Sequence, residues 1–120
     1  MILINSLLAR TAHGRLFATA ALLLGLSLLV SCASTSSQVV WLDVRTDAEY
    51  AEDHIAGSAH IPHEEIALRI ADLGLDKDTE IRVYCRSGRR AGIALASLEE
   101  MGYTNATNVG GIGDARELQD

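Results

Sequence analysis

Two short apolar runs, each followed by a segment with helical character, constrain the fold of this chain more than any other feature. Residues 39–44 (Val-Val-Trp-Leu-Asp-Val) and residues 81–84 (Ile-Arg-Val-Tyr) have the length and the β-branched content of buried strands. The first run precedes a short helical segment with early acidic residues, 47–52, and the second precedes the amphipathic pattern of residues 91–101. Strands that alternate with helices predict an α/β domain with a central parallel sheet flanked by helices.

Weaker patterns predict the remaining elements of this domain. Residues 64–73 carry apolar side chains at spacings of four and three, which predicts a helix whose buried face ends at Leu73. A turn and a short extended piece are expected within residues 57–62. Residues 103–109 predict a further strand, which we expect Gly110 and Gly111 to close.

The amino-terminal 31 residues have the pattern of a secretory signal. Two arginines precede an uncharged run over residues 16–30, which suits a signal peptide and is short of the roughly 20 residues of a spanning helix. The run ends in Leu-Val-Ser-Cys at Cys32, which resembles the lipobox of bacterial lipoproteins and so implies cleavage before Cys32 and acylation of its thiol. Cleavage nearby without a lipid, or a retained anchor, are the alternatives. Residues 32–38 then form a polar tether that leads to a domain over residues 39–120.

Charge and cysteine content limit what this domain can do. Beyond residue 31 the chain has eight basic and 16 acidic residues, a net charge of −8, which is unsuited to general binding of nucleic acid or of an anionic membrane surface. If Cys32 is lipidated or removed, Cys85 is the only thiol left, and no intramolecular disulfide can form. A lone thiol in an oxidising compartment is a liability unless it is buried or used.

The segment around Cys85 is the candidate site. It lies between the end of a predicted strand and the start of a helix, where α/β sheets bind ligands, and reads Cys85-Arg86-Ser87-Gly88-Arg89-Arg90. Backbone N–H groups of a tight loop and of a first helical turn favour a thiolate and bind anions. Three of the domain's eight basic residues fall within these six positions, so the local charge opposes the global charge and implies an anionic substrate.

Three segments that together cover nearly all of residues 40–111 resemble the signatures of rhodanese domains. The first comprises Leu42-Asp43-Val44-Arg45, Glu49-Tyr50, His54-Ile55, Gly57 and Ile61-Pro62. The second is the stretch from Tyr84 to Arg90, and the third comprises Met101-Gly102-Tyr103 and Val109-Gly110-Gly111. The compact start at Trp41 and the secretory signal are most similar to the periplasmic single-domain thiosulfate sulfurtransferases of that family. The resemblance therefore implies a single rhodanese-like domain.

The same resemblance implies a reaction and a set of site residues. Cys85 would be the catalytic nucleophile, taking sulfur from a small anionic donor such as thiosulfate and passing it to a thiol or to cyanide. The substrate would be bound by the remainder of the loop, namely Arg86, Ser87, Gly88, Arg89 and Arg90. Neither a metal nor an organic cofactor is implied, and the expected location is the periplasm, on a membrane through lipidated Cys32.

Other residues receive supporting roles or mark departures from the family pattern. We expect Asp43 and Arg45 to brace the loops near the site. For Arg90, the alternative to substrate binding is that it braces the loop around Cys85. No zinc spacing is formed by His54, His60 and His63. His60 stands where the family usually has asparagine. The tail after Gly111 lacks the tryptophan often found there.

Two other functions are compatible with a cysteine in such a loop. Cysteine phosphatases and arsenate reductases place an arginine six positions after the cysteine, but here that position is Ala91 and Arg90 comes one residue too early. The other alternative is a non-catalytic sulfur-relay or binding module that exchanges sulfur only with a protein partner.

Overall fold

The computed structural model describes residues 37–120, so the predicted signal peptide and Cys32 lie outside the described residues. Within residues 37–120, no helix has both the length and the apolar character needed to cross a membrane. The lipid anchor and the signal peptide therefore stay predictions from the sequence.

Four parallel strands form the centre of the domain, in the order β2-β1-β3-β4. Their bounds are β1 Val40–Asp43, β2 Ala59–His60, β3 Ile81–Cys85 and β4 Ala106–Gly111. The predicted α/β class with a parallel sheet is confirmed. The prediction that the last strand starts near Tyr103 and ends before Gly110 was wrong, because Gly110 and Gly111 continue the ladder opposite Tyr84 and Cys85.

Helices follow the strands along the chain. Their bounds are α1 Asp47–Glu52, α2 Ile66–Arg69, α3 Arg89–Glu100 and α4 Ile112–Glu117, with 3-10 turns at His63–Glu65 and Ile70–Leu73 on either side of α2. The continuous helix predicted over residues 64–73 is thus divided. Its last four residues, Ile70–Leu73, form a 3-10 turn in which Ile70 is buried and Leu73 is 36% exposed, so Leu73 does not share the buried face that its spacing predicts.

Two apolar clusters bury the sheet. The larger one includes Leu42, Val83 and Cys85 from the strands and Ala94 and Leu98 from α3. The smaller one contains Ile55, Tyr84 and Ala115, with Trp41, Val109 and Ile112 packed against it. The last helix therefore packs through Ile112 and Ala115, even though the chain has no tryptophan after Gly111.

A register shift in β4 lies next to the end of β3 that carries Cys85. Val83 pairs with Asn108 whereas the next residue, Tyr84, pairs with Gly110, so Val109 is an extra residue in β4. Such a bulge locally re-aims the chain, and here it occurs just before β4 passes the end of β3, which carries Cys85.

Candidate active site around Cys85

Cys85 is the last residue of β3, and three loop residues separate it from α3. The residue is only 1% exposed, because its side chain packs within the larger apolar cluster. The Gly88 N–H donates a hydrogen bond to its sulfur at 2.9 Å. The predicted arrangement, in which a strand delivers the cysteine to a tight loop before a helix, is the one observed.

Two opposing effects act on the thiol. Burial raises the pKa of Cys85, but hydrogen bonds from the backbone N–H groups of Ala91, Ser87, Gly88 and Arg90 lower it, and the net pKa is below the ordinary thiol value. Helix α3 has no side-chain cap at its N-terminus, so its first N–H groups are not occupied by a capping side chain. The site therefore stabilises a thiolate, which is the nucleophilic form of cysteine.

Glycines shape the loop from both sides. Gly88 has φ 92°, a left-handed conformation that residues with a side chain rarely adopt. From β4, a Cβ on Gly111 would lie 2.5 Å from the Arg86 carbonyl oxygen, so only glycine lets β4 pass this close to the loop. The loop is thus defined by its own glycine and by one on the neighbouring strand.

The three arginines of the loop have different environments. Arg86 and Arg89 are exposed, and neither forms an ion pair with any residue that the structure describes. Arg90 donates to both carboxylate oxygens of Glu49, at 2.7 and 3.0 Å. That contact raises the pKa of Arg90 and lowers the pKa of Glu49. Arg90 therefore has the bracing contact that was its alternative role, whereas Arg86 and Arg89 are available to an anion.

A buried ion pair supports the adjoining loop after β1. Asp43 is fully buried, and the Arg45 Nη2 and Nε atoms lie 2.6 and 3.0 Å from its Oδ2 atom. Arg45 also donates to the backbone carbonyl oxygen of Asp53, which fixes the end of α1. The side-chain hydrogen bond with Asp43 raises the pKa of Arg45. These contacts confirm the bracing role expected for Asp43 and Arg45.

His60 takes part in the same support. Its Nε2 lies 2.8 Å from the Arg45 carbonyl oxygen, which can only accept, so this nitrogen carries the proton. Its ring stacks on Tyr50 with centroids 4.4 Å apart, and Tyr50 stacks in turn on His54. Histidine thus provides a hydrogen bond at the position where the family usually has asparagine.

An open recess of about 190 Å³ lies beside the loop, between the end of α1 and the start of α4. It is lined by Arg45, Glu49, Glu52, Asp53, Arg86 and Ile112.

Among residues 37–120, no group of three or more His, Cys, Asp or Glu side chains is arranged to hold a metal ion.

Two residues at the site had no assigned role in the sequence analysis. Glu49 lies 41 positions before its partner Arg90, and no local pattern connects the two. Asn108 donates from Nδ2 to the Gly88 carbonyl oxygen at 2.9 Å and accepts at Oδ1 from the Gly110 N–H at 2.9 Å. The second contact is local, since asparagine commonly bonds the backbone two residues on, and Asn-Val-Gly-Gly could have suggested it.

Comparison with known proteins gives consistent results. The family model for the rhodanese-like domain matches residues 31–114. The thiosulfate sulfurtransferase PspE of Escherichia coli K12 is 43% identical over 74 residues, which are 62% of this chain and 71% of that protein. The putative sulfur carrier protein YrkF of Bacillus subtilis is 38% identical over 68 residues, 57% of this chain and 36% of that protein. A solved E. coli rhodanese with anions has a TM-score of 0.61 and 42% identity, covering 64% of this chain and 91% of that one.

Proposed function

This chain belongs to the rhodanese-like domain family, and on that premise we propose that it is a thiosulfate sulfurtransferase that carries sulfur as a persulfide on Cys85. The observation that carries the proposal is the set of backbone N–H groups that converge on the buried Cys85 sulfur. The similarity to a protein named thiosulfate sulfurtransferase supports thiosulfate as the donor.

The proposed reaction has two displacements. In the first, the Cys85 thiolate attacks the sulfane sulfur of thiosulfate, the sulfur–sulfur bond of thiosulfate breaks, and sulfite leaves with the bonding electron pair. In the second, an acceptor such as cyanide or a thiolate attacks the outer sulfur of the Cys85 persulfide, and the Cys85 thiolate is regenerated. No proton and no external oxidant is consumed when cyanide is the acceptor.

The residues of the loop have distinct parts in this proposal. The N–H groups that now face the thiol, those of Ser87, Gly88, Arg90 and Ala91, would stabilise the negative charge of the persulfide. Arg86 and Arg89 would attract the dianionic donor and offset the charge on the leaving sulfite. The E. coli rhodanese that was solved with anions supports anion binding in this fold.

A second candidate function is a sulfur relay in which a protein partner, and not a small molecule, exchanges sulfur with Cys85. The similarity to a putative sulfur carrier protein favours this alternative. Both functions use a Cys85 persulfide, so they differ only in turnover with small donors and acceptors.

The location of the protein is also part of the proposal. We propose that residues 1–31 direct export to the periplasm and that Cys32 becomes acylated, so that residues 32–38 tether a domain over residues 39–120 to a membrane. Labelling with a radioactive fatty acid during expression tests this. Label in the parent chain and none in Cys32→Ser would support the anchor, whereas equal label in both would contradict it.

Steady-state kinetics test the enzymatic proposal. With thiosulfate and cyanide varied together, a double-displacement enzyme gives parallel lines in double-reciprocal plots of thiocyanate formation. Cys85→Ser should abolish turnover, and Cys32→Ser, the matched change at the other cysteine, should leave it intact. Persulfide formation with negligible thiocyanate turnover would favour the relay, and activity retained by Cys85→Ser would contradict both functions.

A further inference from the structure

The loop that holds Cys85 depends on a side chain from another strand. We infer that Asn108 of β4 is a positioning residue for Cys85, because it binds the Gly88 carbonyl oxygen and so fixes the backbone of Gly88, whose N–H, in the preceding peptide, points at the sulfur. Asn108 forms no hydrogen bond with the sulfur and acts through Gly88. The inference rests on the proposed function of Cys85, but its test measures the ionisation of the Cys85 thiol and does not require sulfur transfer.

The contacts of Gly88 show what Asn108 contributes. The Gly88 N–H donates to Cys85 Sγ at 2.9 Å, and the Gly88 carbonyl oxygen accepts from both Asn108 Nδ2 at 2.9 Å and the Gly92 N–H at 3.0 Å. The bond from Gly92 is the first hydrogen bond of α3. Asn108 therefore binds a residue that contacts both the sulfur and the first turn of α3.

Besides Asn108, the Gly92 N–H is the one donor to the Gly88 carbonyl oxygen among the described residues. The Gly88 φ of 92° is one of the conformations open to glycine, which has greater backbone freedom than any other residue. Helix α3 has no side-chain cap, and the residues on either side, Ser87 and Arg89, are exposed. The side-chain hydrogen bond from Asn108 therefore adds a restraint on Gly88 to the one that the helix supplies.

The bulge in β4 makes this contact possible. Asn108 pairs with Val83, but the extra residue Val109 shifts the register before Gly110. Asn108 Oδ1 accepts from the Gly110 N–H, which fixes the amide so that its Nδ2 faces Gly88. The backbones also meet here, since a Cβ on Gly88 would lie 3.3 Å from Gly110 Cα.

The test compares the full chain with its Asn108→Ser variant. A serine hydroxyl can still accept from the N–H two residues on, but it is too short to reach Gly88. The rate of alkylation by iodoacetamide is measured from pH 5 to 10 on the peptide that carries Cys85, which separates Cys85 from Cys32. We expect the midpoint of the profile to rise by about one pH unit, the size of effect of one lost hydrogen bond. The kcat for thiosulfate should fall at pH 7 while its KM changes little.

A matched asparagine provides the control. Asn105 lies just before β4 and donates to the Asp78 carbonyl oxygen at 3.3 Å, in an exposed position. Asn105→Ser should leave the alkylation profile unchanged. A profile for Asn108→Ser that coincides with the parent, in a variant with an unchanged circular dichroism spectrum, would overturn the inference.

A second variant keeps the test decisive if Asn108→Ser does not fold. Asn108→Asp has the same shape and can still accept from Gly110, but its carboxylate cannot donate to Gly88. Measured in 0.5 M salt to screen the added charge, it should also raise the midpoint, and an unchanged midpoint would overturn the inference. If the parent chain forms no persulfide from thiosulfate, the proposed function fails, whereas these alkylation profiles still decide the role of Asn108.

Discussion

The loops that follow β1 and β3 occupy equivalent places at the carboxyl edge of the sheet, yet they satisfy their backbone N–H groups in opposite ways. After β1, the N-terminus of α1 is closed by a capping box in which Thr46 Oγ1 accepts from the Glu49 N–H and Glu49 Oε2 accepts from the Thr46 N–H. After β3, no side chain caps α3, and the Cys85 sulfur accepts from the loop instead. The end of β1 therefore supports the fold, whereas the N–H groups after β3 are available for chemistry at the sulfur.

The arginines of the two loops differ in the same sense. Arg45 is buried and held by Asp43 after β1, whereas Arg86 and Arg89 after β3 are exposed and have no ion-pair partner within residues 37–120. The Glu49–Arg90 ion pair joins the two regions, since it links α1 to the first turn of α3. Substitutions in the first loop should therefore change stability, and substitutions in the second should change reactivity.

The largest expected effect is in the supporting loop. Asp43→Asn leaves the Arg45 charge buried without its partner, which should lower the free energy of unfolding by about 3–5 kcal/mol. Urea unfolding followed by the fluorescence of Trp41, the only tryptophan of the chain, measures this. The matched change Asp53→Asn removes an exposed partner of Arg116 and should leave the unfolding curve nearly unchanged. Equal curves for the two variants would contradict the division between the loops.

The next effect is at the contact between β4 and the reactive loop. In Gly111→Ala the new Cβ would meet the Arg86 carbonyl oxygen at 2.5 Å, so the loop must move, at a cost of about 1–3 kcal/mol. Persulfide formation should fall at least tenfold, because the N–H groups no longer converge on the sulfur. Gly113→Ala, where a Cβ meets nothing within 4 Å, should retain full activity. Normal activity in Gly111→Ala would show that the close approach is unimportant.

A smaller effect concerns pH. Since the pKa of Cys85 is lowered, its alkylation should reach half its maximal rate at a lower pH in the folded chain than in the urea-unfolded chain. The sign for stability follows: ionisation of Cys85 stabilises the fold above the ordinary thiol pKa, and this contribution is lost as the pH falls through the lower folded pKa. A midpoint at or above that of the urea-unfolded chain would contradict the account.

The smallest expected effects are those of the exposed arginines. Arg86→Gln and Arg89→Gln should each raise the KM for thiosulfate about two- to fivefold, the range of an exposed charge interaction, and less at high salt. Neither should change the unfolding curve. Arg69→Gln, an exposed arginine of α2 paired with Glu65, is the matched control and should leave the KM unchanged. An unchanged KM in both loop variants would assign donor binding to the backbone N–H groups alone.

The sequence patterns predicted those parts of the molecule that depend on local periodicity. The strands at residues 39–44 and 81–84, the helix after Cys85 and the reactive loop all follow from apolar spacing and from the order of strand, loop and helix. Gly110 and Gly111 were misinterpreted as a stop, because turn-forming residues can also occur in a strand that must pass close to another backbone.

Contacts between distant residues could not be predicted from such patterns. The Glu49–Arg90 pair and the Asn108–Gly88 bond join residues 41 and 20 positions apart, and only the folded sheet brings them together. The capping box with Thr46 is a local contact of Glu49, and this local contact gives no indication that Glu49 also forms an ion pair with Arg90.

The central claim, that Cys85 carries sulfur as a persulfide, is tested most directly by mass spectrometry. The full chain is incubated with thiosulfate, and the peptide that contains Cys85 is weighed before and after cyanide is added. The account predicts a gain of one sulfur atom, roughly 32 Da, that cyanide removes and that the same peptide of Cys85→Ser never shows. A Cys85 peptide that keeps its original mass with thiosulfate, in a chain that is folded, would contradict the claim.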